Sequence, residues 1–175
     1  AIAHGKHVVT ANKALLATHG NEIFRAAASR GVMVSFEAAV AGGIPIIKAL
    51  REGVAANRIS RVSGILNGTC NYILTTMRDT GRDFADVLAE AQRLGYAEAD
   101  PSFDVDGADA AHKLALLATV AFGAKIDLES VSVEGIRNVS AIDMQYADEF
   151  GYRIKLLGIA EADDGGISLR VSPCL

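Results

Sequence analysis

The chain has 175 residues, half of them apolar, with 22% charged and a formal charge of −4. That is enough apolar material for a sizeable core, and no basic cluster of the kind nucleic acid requires is present. The longest apolar run is bracketed by Lys113, Lys125 and Asp127 and falls short of a membrane span.

Taken in order, Val8, Val9 and Thr10 are β-branched and suit a short buried parallel strand. A helix is expected from Asn12-Lys13 to about residue 30, with Gly20 as a blemish inside it. Gly31 ends that helix and residues 32–36 read as a second strand, so the chain opens on one βαβ unit of a parallel sheet. The loop Ala41-Gly42-Gly43 leads to Pro45 in the first turn of a helix to Arg51. Residues 59–66 alternate as a strand does. Asn67-Gly68 signals a turn, and Thr69 is the expected cap of a helix over 70–79. Asp83 should cap the next, which Gly95 closes. An acidic loop over 96–107 feeds a long apolar helix over 108–124. A strand is expected at 132–139 and a short helix at 141–150. Strands at 153–160 and 167–171 should pair around the turn Asp163-Asp164-Gly165-Gly166.

A βαβ opening followed by mixed helices and strands predicts an α+β fold beyond about residue 37. The chain starts on Ala1, just before a strand, and ends on Pro173-Cys174-Leu175 without a capping element, which reads as a fragment of a longer polypeptide. Cys70 and Cys174 lie far apart in a cysteine-poor chain and read as free thiols in a reducing cytosol. No signal peptide is visible. The expected location is therefore cytoplasmic, with neither membrane nor nucleic acid as partner.

The strongest chemical signal is the acidic loop. Glu98, Asp100, Asp104, Asp106 and Asp109 put five carboxylates into a dozen residues, which repel one another unless something cationic sits among them. Asp109 and Lys113 are four apart, on one face near the start of a helix whose body is apolar almost all round. A lysine at the threshold of a buried helix is a candidate proton donor or acceptor. An exposed ion pair worth about 0.3–0.5 kcal/mol is the plainer reading of the same spacing. The loop itself reads equally as solvated or as a calcium site, without the regular ligand spacing of an EF-hand. Lys13 stands where a strand runs into a helix, at the sheet edge where nucleotides bind, or is a surface lysine there. The amides after Asn67 could hold a carboxylate, or the stretch is a capped turn. Glu37 precedes a tight glycine loop whose carbonyls could bind a hard cation, or it begins an ordinary strand-to-helix turn. His4, His7, His19 and His112 share no metal-site spacing with one another or with either cysteine.

In combination and in order, four segments resemble homoserine dehydrogenase: Val8-Val9-Thr10-Ala11-Asn12-Lys13, Glu37-Ala38-Ala39-Val40-Ala41-Gly42-Gly43-Ile44-Pro45, Gly64-Ile65-Leu66-Asn67-Gly68-Thr69, and Leu94-Gly95-Tyr96-Ala97-Glu98-Ala99-Asp100-Pro101 running on through Asp104, Gly107, Asp109 and Lys113. The resemblance covers nearly the whole chain. It implies interconversion of L-homoserine and L-aspartate 4-semialdehyde with NADP or NAD, on the way to threonine, methionine and isoleucine. Lys113 matches the family's catalytic lysine, with Asp109 beside it. Glu98, Asp104 and Asp109 match carboxylates that bind the amino acid. Lys13 and Gly95 match positions that contact the cofactor. Glu37 with the carbonyls of Val40, Gly42 and Ile44 matches a monovalent-cation site, usually sodium, and Gly42 should then tolerate little change. Residues 1–36 match the end of a Rossmann-type NAD(P)-binding domain, and 37–175 a catalytic, substrate-binding and dimerising domain with a mixed sheet covered by helices. A homodimer is implied. The glycine-rich phosphate fingerprint is absent from these residues, so the isolated stretch is expected to be inactive. The rival reading is a non-catalytic dimerising or binding module of the same fold. Keeping Glu98, Asp104, Asp109 and Lys113 together speaks for the enzyme.

Overall fold

A computed structural model describes all 175 residues. They form two compact units. One comprises Ala1–Val62, His112–Val131 and Ala160–Leu169, the other Ser63–Ala111, Ser132–Ile159 and Arg170–Leu175.

The first unit begins with the expected βαβ motif. Strands β1 (Val8–Val9) and β2 (Val34–Ser35) pair in parallel, Val8 opposite Val34, around helix α1 (Lys13–Ser29). Asn12 caps α1 by accepting from the Leu15 amide at 3.0 Å. Gly20 is no blemish, because a Cβ there would lie 2.4 Å from Ile126 Cδ1. The helix can approach the 126 segment only through a glycine. Asn21 fixes that approach by donating to the Ile126 carbonyl at 2.7 Å and accepting from its amide at 3.0 Å. Leu16, Phe36, Ile47, Leu114 and Leu116 are buried in this unit's core. Helix α2 (Ile46–Lys48) has Pro45 at its cap rather than inside its first turn, and it runs on into a π-helical turn, Ala49–Gly53.

A mixed sheet carries the rest. Its order is β3 (Arg61–Gly64), β5 (Lys155–Asp163), β6 (Gly166–Cys174), β4 (Ser132–Val133). Strands β5 and β6 form the expected hairpin, antiparallel because only two residues join them, and β4 lies parallel to β6. In the second unit, helix α3 (Gly68–Thr80) lies against β5, where Lys155 Nζ donates to Asn71 Oδ1 at 2.7 Å and Thr75 Oγ1 at 2.8 Å. Helices α4 (Phe84–Arg93), α5 (Ser102–Val105) and α7 (Ala141–Glu149) complete this unit with the first turn of α6 (Ala108–Phe122). Its core holds Ile73, Leu74, Met77, Val87, Val105 and Ile136. This is the α+β fold that the sequence predicts.

Three local expectations change. The cap of α3 is Asn67, whose side chain accepts from the Cys70 amide, while the Thr69 hydroxyl donates to the Tyr96 carbonyl at 2.9 Å. The acidic loop is interrupted by α5, which Gly107 (φ +89°) separates from α6. The strand at 132–139 stops after Val133. A Cβ at Gly135 would lie 2.3 Å from the Val105 carbonyl oxygen, and the Ile136 amide donates to that same oxygen at 2.8 Å. The chain leaves the sheet there to close on the end of α5.

Candidate active site

The end of α5, the start of α6 and the cap of α3 bring the acidic loop together. Asn67 is buried, with its backbone extended as an N-cap requires. Its Oδ1 accepts from the Cys70 amide at 2.8 Å. Its Nδ2 donates to Asp104 Oδ1 at 2.7 Å and to Asp109 Oδ2 at 2.8 Å. One neutral amide thus bridges two carboxylates that sequence places five residues apart. Asp109 is itself buried, at 4% exposure, in the first turn of α6, where the positive end of the helix dipole favours its charge. Asp104 is half-buried, and its backbone carbonyl accepts from the Cys70 thiol at 3.2 Å.

The countercharge that a run of carboxylates demands comes from Arg137. Its guanidinium pairs with Asp106 through Nε and Nη2 and donates to Ser102 Oγ at 3.0 Å. Hydrogen bonding to Asp106 raises the Arg137 pKa further. Asp100 accepts from the Ser102 amide, and hydrogen bonds from Ser102 hold its carboxyl below the usual range. Glu98 stands exposed on the loop after α4, with its backbone carbonyl tied to Gln92 Nε2 at 3.0 Å. Gly95 closes α4 at φ +80°, followed by Tyr96, whose ring lies 4.6 Å from that of Tyr72. No group of three or more His, Cys, Asp or Glu side chains is placed to hold a metal ion, so the calcium reading of the acidic loop gains no support.

Lys113 follows Asp109 by one turn on α6 and is half-buried. It is counted with the first unit, as are Lys13, Glu37, Val40, Gly42 and Ile44. Lys13 is the first residue of α1, half-buried, just past the carboxyl end of β1. Glu37 spends its carboxylate on α2: Oε1 accepts from the Ile47 amide at 2.7 Å and Oε2 from the Lys48 amide at 3.1 Å. In the loop between, Val40 is buried and Ile44 exposed. Gly43, at φ +75°, is where the backbone demands glycine; a Cβ at Gly42 would meet open space.

Two residues of this constellation escape a reading by spacing. Asn67 reads as a turn former, and Arg137 falls in what looks like a strand. The cap position of Asn67 is a local signal for the first. The excess of carboxylates, which calls for a cation, is the only signal for the second.

Two carboxylates, one buried and one half-buried, are thus held by a single amide, with a lysine one helical turn beyond the second. A family model described as homoserine dehydrogenase matches residues 45–175, and one described as the NAD binding domain of homoserine dehydrogenase matches residues 1–37. Homoserine dehydrogenase of Pseudomonas aeruginosa is 62% identical over all 175 residues, and that of Neisseria gonorrhoeae 59% identical. The crystal structure of a homoserine dehydrogenase from Thiobacillus denitrificans superposes with a TM-score of 0.98 at 64% identity, over 99% of this chain and 40% of that one. A hyperthermophilic archaeal homoserine dehydrogenase in complex with NADPH superposes at 0.84 with 30% identity, over 99% of this chain and 49% of that one. The chain belongs to the homoserine dehydrogenase family. It spans 40% of the length of these two curated relatives.

Proposed function

We propose that the chain forms the substrate-binding and catalytic part of a cytoplasmic homoserine dehydrogenase, interconverting L-homoserine and L-aspartate 4-semialdehyde with NADP or NAD. The observation that carries the reading is the Asp104–Asn67–Asp109 bridge with Lys113 one turn along α6. Asp104 and Asp109, with Glu98 from the exposed loop, bind the substrate's ammonium group, since three anionic groups favour a cation. Lys113 exchanges the proton on the substrate oxygen. In the reducing direction it gives that proton as the oxygen gains charge; in the oxidising direction it takes it back. The nicotinamide, when bound, supplies or accepts the hydride at the carbon bearing that oxygen.

Residues 1–36 are assigned to the NAD(P)-binding domain and 37–175 to the catalytic and dimerising domain. Lys13, at the carboxyl end of a parallel strand and the start of a helix, is suited to the cofactor's negative charge. The exposed Gly95, with no side chain, allows close approach. A monovalent cation, sodium by family resemblance, is assigned to Glu37 and the carbonyls of Val40, Gly42 and Ile44. The complete enzyme is proposed to be a homodimer.

The test is Lys113→Ala in the complete enzyme. Turnover should fall by about 10²–10⁴-fold, the usual worth of a general acid–base group, while cofactor affinity persists. A loss under about threefold, well below that range, removes Lys113 from the reaction.

A further inference from the structure

The cap of α3 requires only an acceptor oxygen, and serine, threonine or aspartate at position 67 would provide one as well as asparagine does. Asparagine alone among these adds two N–H donors, and both are used. The amide orientation is fixed by its partners. Turned over, its oxygen would face two carboxylate oxygens and its amino group would face the Cys70 N–H. One oxygen of each carboxylate is therefore pinned to a single nitrogen, at 2.7 Å and 2.8 Å. The two anionic groups cannot drift apart under their mutual repulsion, and the group that bridges them is itself uncharged. A lysine or arginine in the same place would neutralise the pair and compete with a cationic ligand.

We propose that Asn67 is a positioning residue for the amino-acid substrate: its carboxamide sets the separation at which Asp104 and Asp109 meet the ammonium group. This rests on the function proposed above. The bridge is buried at both Asn67 and Asp109, each 4% exposed, so water cannot readily replace it.

Two variants of the complete enzyme separate positioning from capping. Asn67→Ser keeps a helix cap and loses the bridge. Asn67→Asp keeps the cap and turns a third carboxylate toward the other two. Both should lower the thermal midpoint, because buried carboxylate oxygens lose their donor, while the retained cap keeps α3 folded. Asn67→Ser should raise KM for homoserine about tenfold to a hundredfold, the fold-change of one hydrogen bond to a charged group, with KM for NADP unchanged. In Asn67→Asp, crowded like charges disfavour ionisation, so the acid limb of kcat/KM for homoserine should move to higher pH by about one unit. Parental KM and pH profile in both variants would overturn the proposal. So would a lower thermal midpoint with equal rises in the KM for homoserine and for the cofactor, which marks a helix cap and nothing more. Should Asn67→Asp fail to fold, Asn67→Ser decides alone. A parent enzyme that does not turn over homoserine removes the functional reading, and this inference with it; an active parent with indifferent Asn67 variants removes only Asn67.

Discussion

Cys70 shows how far burial and charge reach around the acidic cluster. Its thiol is fully buried, donates to the Asp104 carbonyl, and is pushed up to about 12, by burial first and then by Asp104, Asp109 and Asp106. It is therefore protonated throughout the neutral range, which is why it can donate. A raised thiol pKa stabilises the fold fully below the ordinary value of 9.0 and progressively less up to about 12, as the unfolded chain's thiol ionises and the folded one does not. Since the thiolate is the nucleophile, iodoacetamide at pH 8 should label Cys174, which is half-buried, and spare Cys70 in the native protein, while both react in urea. Peptide mass spectrometry reads the result. Equal native labelling of the two would show that Cys70 does not sit in the sealed, anionic surroundings described.

Glu37 illustrates the same economy at the scale of an element. A carboxylate nine residues before Ile46 accepts two amides of α2 and so does the work of an N-cap for a helix that Pro45 begins without one. Each carboxylate oxygen has a further lone pair, so capping α2 leaves room for the cation assigned to this loop. A high-resolution map collected in sodium should show an ion with the carbonyls of Val40, Gly42 and Ile44 turned toward it. Carbonyls pointing away from a common centre would exclude the site.

What the sequence discloses divides along the same line. Helix α1, the buried body of α6 and the β5–β6 hairpin are legible because their causes are local: a cap, a period of 3.6, a turn of two aspartates and two glycines. The end of β4 is not, because what stops it is the approach of Gly135 to Val105 and Asp106, thirty residues away in sequence. Gly20 looks like a weakness for a related reason, since Ile126 supplies its purpose from over a hundred residues off. Within the candidate site, the acidic residues and Lys113 stand out by charge and spacing. Asn67 and Arg137, which hold the carboxylates in place, become visible only once α3, α5 and the turn after β4 are folded together.

On the scale of the molecule, large apolar side chains are left at the surface of the second unit. Ile142, Tyr146, Phe150, Tyr152 and Leu175 are each more than half exposed, and four of them, without Ile142, line a groove of about 480 Å³. Apolar surface of that extent is usually covered in the working protein. The proposed dimer of the complete enzyme is the matching expectation, and light scattering should return twice the protomer mass; a monomer at micromolar concentration would count against it.

The first unit sets a limit on what these 175 residues do by themselves. Pyrophosphate binding in a Rossmann-type domain uses a Gly-x-Gly-x-x-Gly turn and the helix N-terminus that follows it, where amides and the helix dipole face the phosphates. No such run occurs between Ala1 and Leu175. The parallel sheet here has only β1 and β2, two residues each, with Val9 85% exposed beside the start of α1. Two short strands are marginal as a sheet, and an apolar strand edge invites association. Made alone, the chain should therefore bind NADPH weakly at most and show no steady reduction of aspartate semialdehyde. Calorimetry with NADPH on the 175-residue protein measures the first and an absorbance assay the second. Micromolar affinity would place the phosphate contacts within these residues and move the cofactor site away from the sheet edge that Lys13 is proposed to mark.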